Sequence, residues 1–135
     1  MAWMQNVIIK IGLVDDHLIF KKALRIILSS YSNIQVVLDA NNGSDLLEKL
    51  KIVEVDIILL DLTMPVMGGL EVLSVLKQTY PDIKVIVLSL HDDEFRVSEA
   101  MQNGAFSYLL KNDSPSHMVK QIEICNGMRS SHSNK

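Results

Sequence analysis

The stretch Asp56-Ile57-Ile58-Leu59-Leu60-Asp61 constrains this chain most. Four bulky aliphatic residues in a row, opened and closed by aspartate, leave no polar face. A strand of that composition is stable where both faces are covered, as in the middle of a parallel α/β sheet. Asp61 ends the run, and Thr63-Met64-Pro65 must turn because proline cannot donate to a sheet ladder. Gly68-Gly69 then frees the backbone before a helical pattern begins. Open α/β sheets gather their ligands at the C-terminal ends of strands, so Asp61 stands where such a fold does its chemistry.

The rest of the chain repeats a strand–helix rhythm. Val7 to Val14 predicts a first strand that stops at Asp15-Asp16-His17. Leu18, Ile19, Ala23, Leu24, Ile27 and Leu28 then recur at helical spacing through Tyr31. Ile34 to Ala40 predicts a second strand. After Asn41-Asn42-Gly43, Ser44 is the expected cap of a helix carrying Leu46, Leu47 and Leu50. Gly69 to Tyr80 predicts a helix with Leu70, Val72, Leu73 and Leu76 inward, broken by Pro81-Asp82. Ile83 to Leu90 predicts a fourth strand. Asp92-Asp93 is expected to cap a helix through Asn103 in which only Phe95, Val97, Ala100 and Met101 are apolar, with Gly104 as its C-cap. Ala105 to Leu110 predicts a short fifth strand ending at Lys111. Ser114-Pro115 opens a last helix with Met118, Ile122 and Cys125 inward. Five strands alternating with five helices predict one parallel sheet with helices on both faces and right-handed crossovers.

The chain has 135 residues, enough for one domain. It is expected over residues 7–127, with 1–6 as an N-terminal extension and 128–135 as a polar tail or linker stub. A net charge of -3 gives no basic footprint, so the domain is not expected to hold nucleic acid by itself. A lone cysteine, Cys125, excludes an internal disulfide and fits a reducing cytoplasm. No apolar run approaches the ~20 residues of a membrane span, and Met1 to Asn6 is no signal peptide.

The chemistry lies at the strand ends. Asp15 and Asp16 follow the first strand, Asp61 closes the third, Ser89 nears the end of the fourth, and Lys111 follows the fifth. Parallel strands point their C-terminal ends the same way, so these groups can converge. Singly, each has a plain alternative: Asp15-Asp16 as a helix cap, Ser89 as a strand end, Lys111 as a solvated surface lysine. Their joint arrival on consecutive strand ends favours a site. Three close carboxylates repel unless a cation sits among them. An oxygen-only cluster with room for water suits Mg²⁺ or Mn²⁺ better than zinc. His17, at a helix start, reads as a surface residue. Beside a divalent cation, Asp61 can attack the phosphorus of a phosphodonor. Lys111 would then offer a positive point charge and Ser89 a hydroxyl donor.

These residues resemble the response-regulator receiver domain over roughly Val7 to Cys125. The matching elements are Asp15-Asp16, Leu60-Asp61-Leu62-Thr63-Met64-Pro65 with Gly68-Gly69, Val87-Leu88-Ser89, and Gly104-Ala105-Phe106-Ser107-Tyr108-Leu109-Leu110-Lys111. The resemblance implies a flavodoxin-like (βα)5 doubly wound sandwich with strand order 2-1-3-4-5. It implies that Asp61 accepts phosphate from a histidine kinase or a phosphotransfer protein. Asp16 and Asp61 would ligate Mg²⁺ directly, Asp15 through water, and Thr63 by its backbone carbonyl. Ser89 and Tyr108 match the family's switch pair, and Lys111 its lysine. Thr63 and His91 flank the implied pocket and bear on phosphoryl lifetime. A homodimer through the fourth helix, fifth strand and fifth helix is also implied. Asn112 follows Lys111 where many receivers have proline. Lys111-Asn112, Asp15-Asp16-His17 and Ser89-Leu90-His91-Asp92 resemble the branch that carries a C-terminal helix-turn-helix of the LuxR type. The expectation is therefore a truncated regulator whose DNA-binding domain is absent from this chain. The alternative is a stand-alone receiver acting as a phosphorelay or interaction module.

Two other classes fit less well. A phosphatase with an aspartyl-phosphate intermediate favours a second acid two residues after the nucleophile, where Thr63 stands. A nucleotide or flavin binder wants a Gly-rich or hydroxyl-rich loop after the first strand, where Asp15-Asp16-His17 would repel phosphate. The expectation is thus a signalling domain that catalyses only its own phosphorylation and dephosphorylation.

Overall fold

A computed structural model describes residues 7–64, 67–90 and 92–133, with side chains as far as Gly127. The extension at Met1 to Asn6, Pro65 of the expected turn, His91 and residues 134–135 lie outside the described residues. The elements run β1 (Ile9–Val14), α1 (Leu18–Ser29), β2 (Ile34–Ala40), α2 (Gly43–Leu50), β3 (Ile57–Asp61), α3 (Gly69–Thr79), β4 (Lys84–Ser89), α4 (Glu94–Gln102), β5 (Ser107–Leu110) and α5 (Pro115–Ser133). The strands pair in parallel in the order β2-β1-β3-β4-β5, the doubly wound arrangement expected. No helix among the described residues is long and apolar enough to cross a membrane.

The apolar run is the middle of the sheet, and all five residues of β3 are buried. Side-chain alternation divides it between two cores. Ile57 and Leu59 pack with Leu24 and Leu28 of α1 and Met118, Ile122 and Cys125 of α5. Ile58 and Leu60 pack with Leu46 of α2, Val72, Leu73 and Leu76 of α3, and Val97 and Ala100 of α4. Each such side chain contributes roughly 1.5–3 kcal/mol by leaving water, so this strand anchors both layers. Asp56 sits just outside the strand. Its Oδ2 accepts from Lys10 N at 2.9 Å, and its carbonyl accepts from Lys84 N at 3.1 Å, which joins β1 and β4 across the base of β3.

Local chemistry departs from expectation at several element ends. The cap of α2 is Asn42, not Ser44. Asn42 is extended and its Oδ1 accepts from Asp45 N at 2.8 Å, so the helix starts two residues early, at Gly43. Asp93 occupies the N-cap position of α4, but its side chain accepts from Leu90 N at 3.4 Å and caps nothing in the helix. Ser114 does cap α5, accepting from His117 N at 3.2 Å with Pro115 as the first helical residue. Helix α5 continues over part of the stretch expected to be tail. The C-cap of α4 is Asn103 and not Gly104; Gly104 follows it at φ +104°, a conformation open to glycine.

Helix α1 turns differently from its apolar pattern. Leu24 and Leu28 are buried, but Leu18 and Ile19 are 56% and 86% exposed. Lys21 takes the inward place instead, donating to Ala40 O at 3.2 Å and to Asn41 Oδ1, with Asp39 3.5 Å away. A buried ammonium is tolerable because those acceptors satisfy it.

Gly68-Gly69 does not serve backbone freedom, since neither residue has positive φ and the left-handed residue beside them is Met67 at φ 53°. Gly69 serves close packing: a Cβ there would lie 2.7 Å from Leu62 Cα and 3.0 Å from Asp61 O. Gly69→Ala is therefore expected to lose about 1–3 kcal/mol by overpacking against backbone. A denaturant midpoint equal to the parent's would refute that.

Candidate functional site

The sheet register assembles the site. Val14 lies opposite Leu60, so Asp15 and Asp61 come next on adjacent strands. Asp61 pairs with Leu88, and Ser89 with Leu110, so Ser89 and Lys111 leave the sheet one step farther on. Lys111 N donates to Ser89 O at 2.9 Å, which holds that corner.

Asp15 and Asp61 are buried at 1% and 4% exposure, while Asp16 and His17 are exposed at the rim. Ligand atoms of Asp15, Asp16, His17 and Asp61 all lie within 4.8 Å of one another. The Lys111 ammonium lies 3.0 Å from Asp15 Oδ2 and 3.5 Å from Asp61 Oδ2. These are ionic contacts off the hydrogen-bond directions, and both oxygens are left without a hydrogen-bond partner. Asp15 Oδ1 accepts from His17 N at 2.8 Å, and Asp61 Oδ1 accepts from Thr63 N at 3.2 Å. Burial pushes the Asp61 carboxyl up to about 6, and the Asp15 and Asp16 carboxylates push it the same way. The Thr63 N–H and Lys111 draw it back without cancelling the effect.

Asp16, Asp61, Thr63 and Lys111 line one cavity of ≈ 310 Å³. Ser89 and Tyr108 instead line a neighbouring cavity of ≈ 400 Å³ against Val97 of α4. The Ser89 hydroxyl donates to Leu90 O at 3.1 Å, and Tyr108 is 49% exposed. Thus the acids and the lysine come together, and the hydroxyl–aromatic pair sits next door.

Three contacts had no sequence signal. His17 is exposed as read, yet its Nδ1 is 3.0 Å from Lys111 Nζ. Phe20 places its ring 5.1 Å from the same ammonium. Arg96 of α4 donates to Thr63 Oγ1 at 3.1 Å. Each joins residues far apart in the chain, where no periodicity or motif reaches.

A family model described as the response regulator receiver domain matches residues 11–123. The chain belongs to that family. This receiver is 36% identical over 116 residues to the transcriptional regulatory protein DegU of Brevibacillus brevis, covering 86% of this chain and 49% of DegU. Among solved structures it is similar to the signal receiver domain of a NarL response regulator from Mycobacterium tuberculosis, at TM-score 0.83 and 30% identity, covering 90% and 98% of the two chains. It is also similar to a LuxR-family two-component response regulator from Aurantimonas sp. SI85-9A1, at TM-score 0.81 and 27% identity, covering 89% and 86%. The curated relatives include transcriptional regulatory proteins, response regulators and a protein-glutamate methylesterase. The receiver spans about half the length of the curated relatives it matches.

The acidic cluster suits a hard divalent cation. The buried Asp61 Oδ2 and Asp15 Oδ2 lack hydrogen-bond partners, Asp16 adds a carboxylate at the rim, and the Nδ1 of His17 is engaged by Lys111. Oxygen donors of this kind match Mg²⁺ or Mn²⁺.

Proposed function

We propose that this receiver accepts a phosphoryl group on Asp61 from a sensor histidine kinase or phosphotransfer protein, and that the modified domain controls a LuxR-type helix-turn-helix output domain in the cytoplasm. The observation that carries the reading is the Asp61 carboxylate itself. It is buried, has no hydrogen-bond partner at Oδ2, where Lys111 makes only an ionic contact, and faces a cavity that also holds Asp16, Thr63 and Lys111.

In the transfer, an Asp61 oxygen attacks phosphorus. The bond from phosphorus to the donor breaks, and the imidazole or acetate leaves with its electron pair. Asp16 and Asp61 would hold Mg²⁺ or Mn²⁺ directly, Asp15 through water, and Thr63 by its carbonyl. When bound, the cation supplies positive charge against the transferred oxygens. Lys111 adds charge from β5, and Asp15 holds it beside Asp61.

The group would add charge and three acceptor oxygens near Asp61. Ser89 now spends its hydroxyl on Leu90 O and would gain a better acceptor. The half-exposed Tyr108 ring stands beside a cavity that could receive it. That differential contact is what shifts a two-state equilibrium. Phe95, Met101 and Tyr108 are exposed on α4 and β5, which supports a homodimer surface on the α4–β5–α5 face.

With Mg²⁺ and acetyl phosphate, the protein is expected to gain one acyl phosphate, mapped by mass to Asp61. Asp61→Asn should gain none. Labelling of another residue, or persistent labelling of the variant, would overturn the assignment.

A further inference from the structure

Arg96 stands in the first turn of α4 and reaches the loop after β3. Its Nη1 donates to Thr63 Oγ1 at 3.1 Å. The guanidinium lines the cavity over Asp61. It also lines a second cavity of ≈ 370 Å³ against Leu62, Gly69 and Glu71, and so forms the wall between the two. Asp16, Asp92 and Asp93 line the first cavity as well. Yet among the described residues Arg96 has no ion-pair partner, and the bond shown for it goes to a neutral hydroxyl. The guanidinium therefore keeps donors and a full charge for an anion.

We propose that Arg96 is a phosphoryl-binding residue that exchanges partners: it holds Thr63 while Asp61 is unmodified and turns to the phosphoryl oxygens once Asp61 carries the group. This inference rests on the phosphotransfer reading above. Thr63 N donates to Asp61 Oδ1 at 3.2 Å, so the hydroxyl that Arg96 holds lies beside the acceptor. The Arg96 guanidinium is charged in both arrangements, but phosphoryl oxygens carry the opposite charge and can take its fork in two parallel bonds, which a single neutral hydroxyl cannot. The exchange is thus downhill when the group arrives.

The consequence falls on α4. This helix buries only Val97 and Ala100, so the Arg96–Thr63 bond is a substantial part of what holds it to the loop after β3. Releasing that bond frees α4 by a route separate from the Ser89–Tyr108 pair, which lines the other side of the helix's contact with β5.

Beryllofluoride, a phosphoryl mimic, tests this when titrated with Mg²⁺ into the full chain and read by calorimetry and by the Arg96 side-chain NMR signals. Arg96→Gln is expected to weaken mimic binding about tenfold, with Arg96→Lys in between because it keeps the charge and loses the fork. Mg²⁺ affinity without the mimic should not fall in Arg96→Gln, since removing a cation cannot weaken another cation's attraction to the site. Thr63→Val, which removes only the resting partner, should bind the mimic at least as tightly as the parent. Equal mimic affinity in Arg96→Gln and the parent would overturn the exchange. A joint fall in Mg²⁺ and mimic affinity would overturn it too, by showing a structural role. A parent protein that takes Mg²⁺ but no mimic would instead overturn the phosphotransfer reading on which the exchange rests.

Discussion

Lys111→Met is expected to lower the stability of the metal-free protein by roughly 3–5 kcal/mol, the range for removing one partner from a buried charge cluster. The ammonium lies 3.0 Å from Asp15 and 3.5 Å from Asp61, and the two carboxylate side chains are 2% and 5% exposed. Without it, two buried negative charges face each other with no compensating cation. Methionine keeps most of the stem, so the loss reports charge more than volume. It should grow as pH rises and Asp61 ionises. Mg²⁺ should restore part of it, by about 2.7 kcal/mol at a hundredfold excess over Kd, because the ion binds the folded state. Urea unfolding with EDTA and with Mg²⁺ checks both halves. A variant as stable as its parent at neutral pH without metal would mean that Lys111 does not hold the acids together.

Asp61→Asn is expected to act in the opposite direction, making the metal-free protein more stable at neutral pH. The Asp61 carboxyl titrates near 6 in the fold against an ordinary value of 3.8. Between those values the folded state binds more protons than the unfolded chain, so stability falls as pH rises through that window. The deficit above it is of order 2–3 kcal/mol at 1.36 kcal/mol per pH unit. Asparagine keeps the shape without the charge and should recover most of that. The advantage should vanish below about pH 4, where the parent is protonated in both states. Excess Mg²⁺ should reduce or reverse it, since the variant loses a carboxylate that would bind the ion. Thermal unfolding of both proteins from pH 4 to 8 decides the matter; parallel curves would show that Asp61 carries no strain from burial. Folding stability and phosphoacceptance would then be opposed at one atom, because the burial that isolates the carboxylate for chemistry also disfavours its charge.

Much of the architecture was legible because it rests on short-range pattern. The all-apolar body of β3 requires cover on both faces, and the strand–helix alternation leaves few ways to supply it. Met118, Ile122 and Cys125 face inward in α5 because helical spacing allows little else. Element ends were less legible. Asn42 and Ser44 are both good caps, and the choice fell to whichever backbone was extended. In α1, apolar residues flank the true inner face on both sides. Which stripe turned inward depended on Ala40 and Asn41 standing ready for the Lys21 ammonium.

The order of residues alone determined that Asp15, Asp16, Asp61, Ser89 and Lys111 lie at or beside the C-terminal ends of parallel strands, because parallel pairing sends those ends to one edge. Tertiary structure decided the rest. It set the register that puts Asp15 beside Asp61 and shifts Ser89 and Tyr108 to the adjoining cavity. It brought His17, Phe20 and Arg96 to the pocket from separate elements. Pattern fixes which face of an element is apolar; distances between elements come from how the faces fit, and charge interactions fall away over a few ångströms.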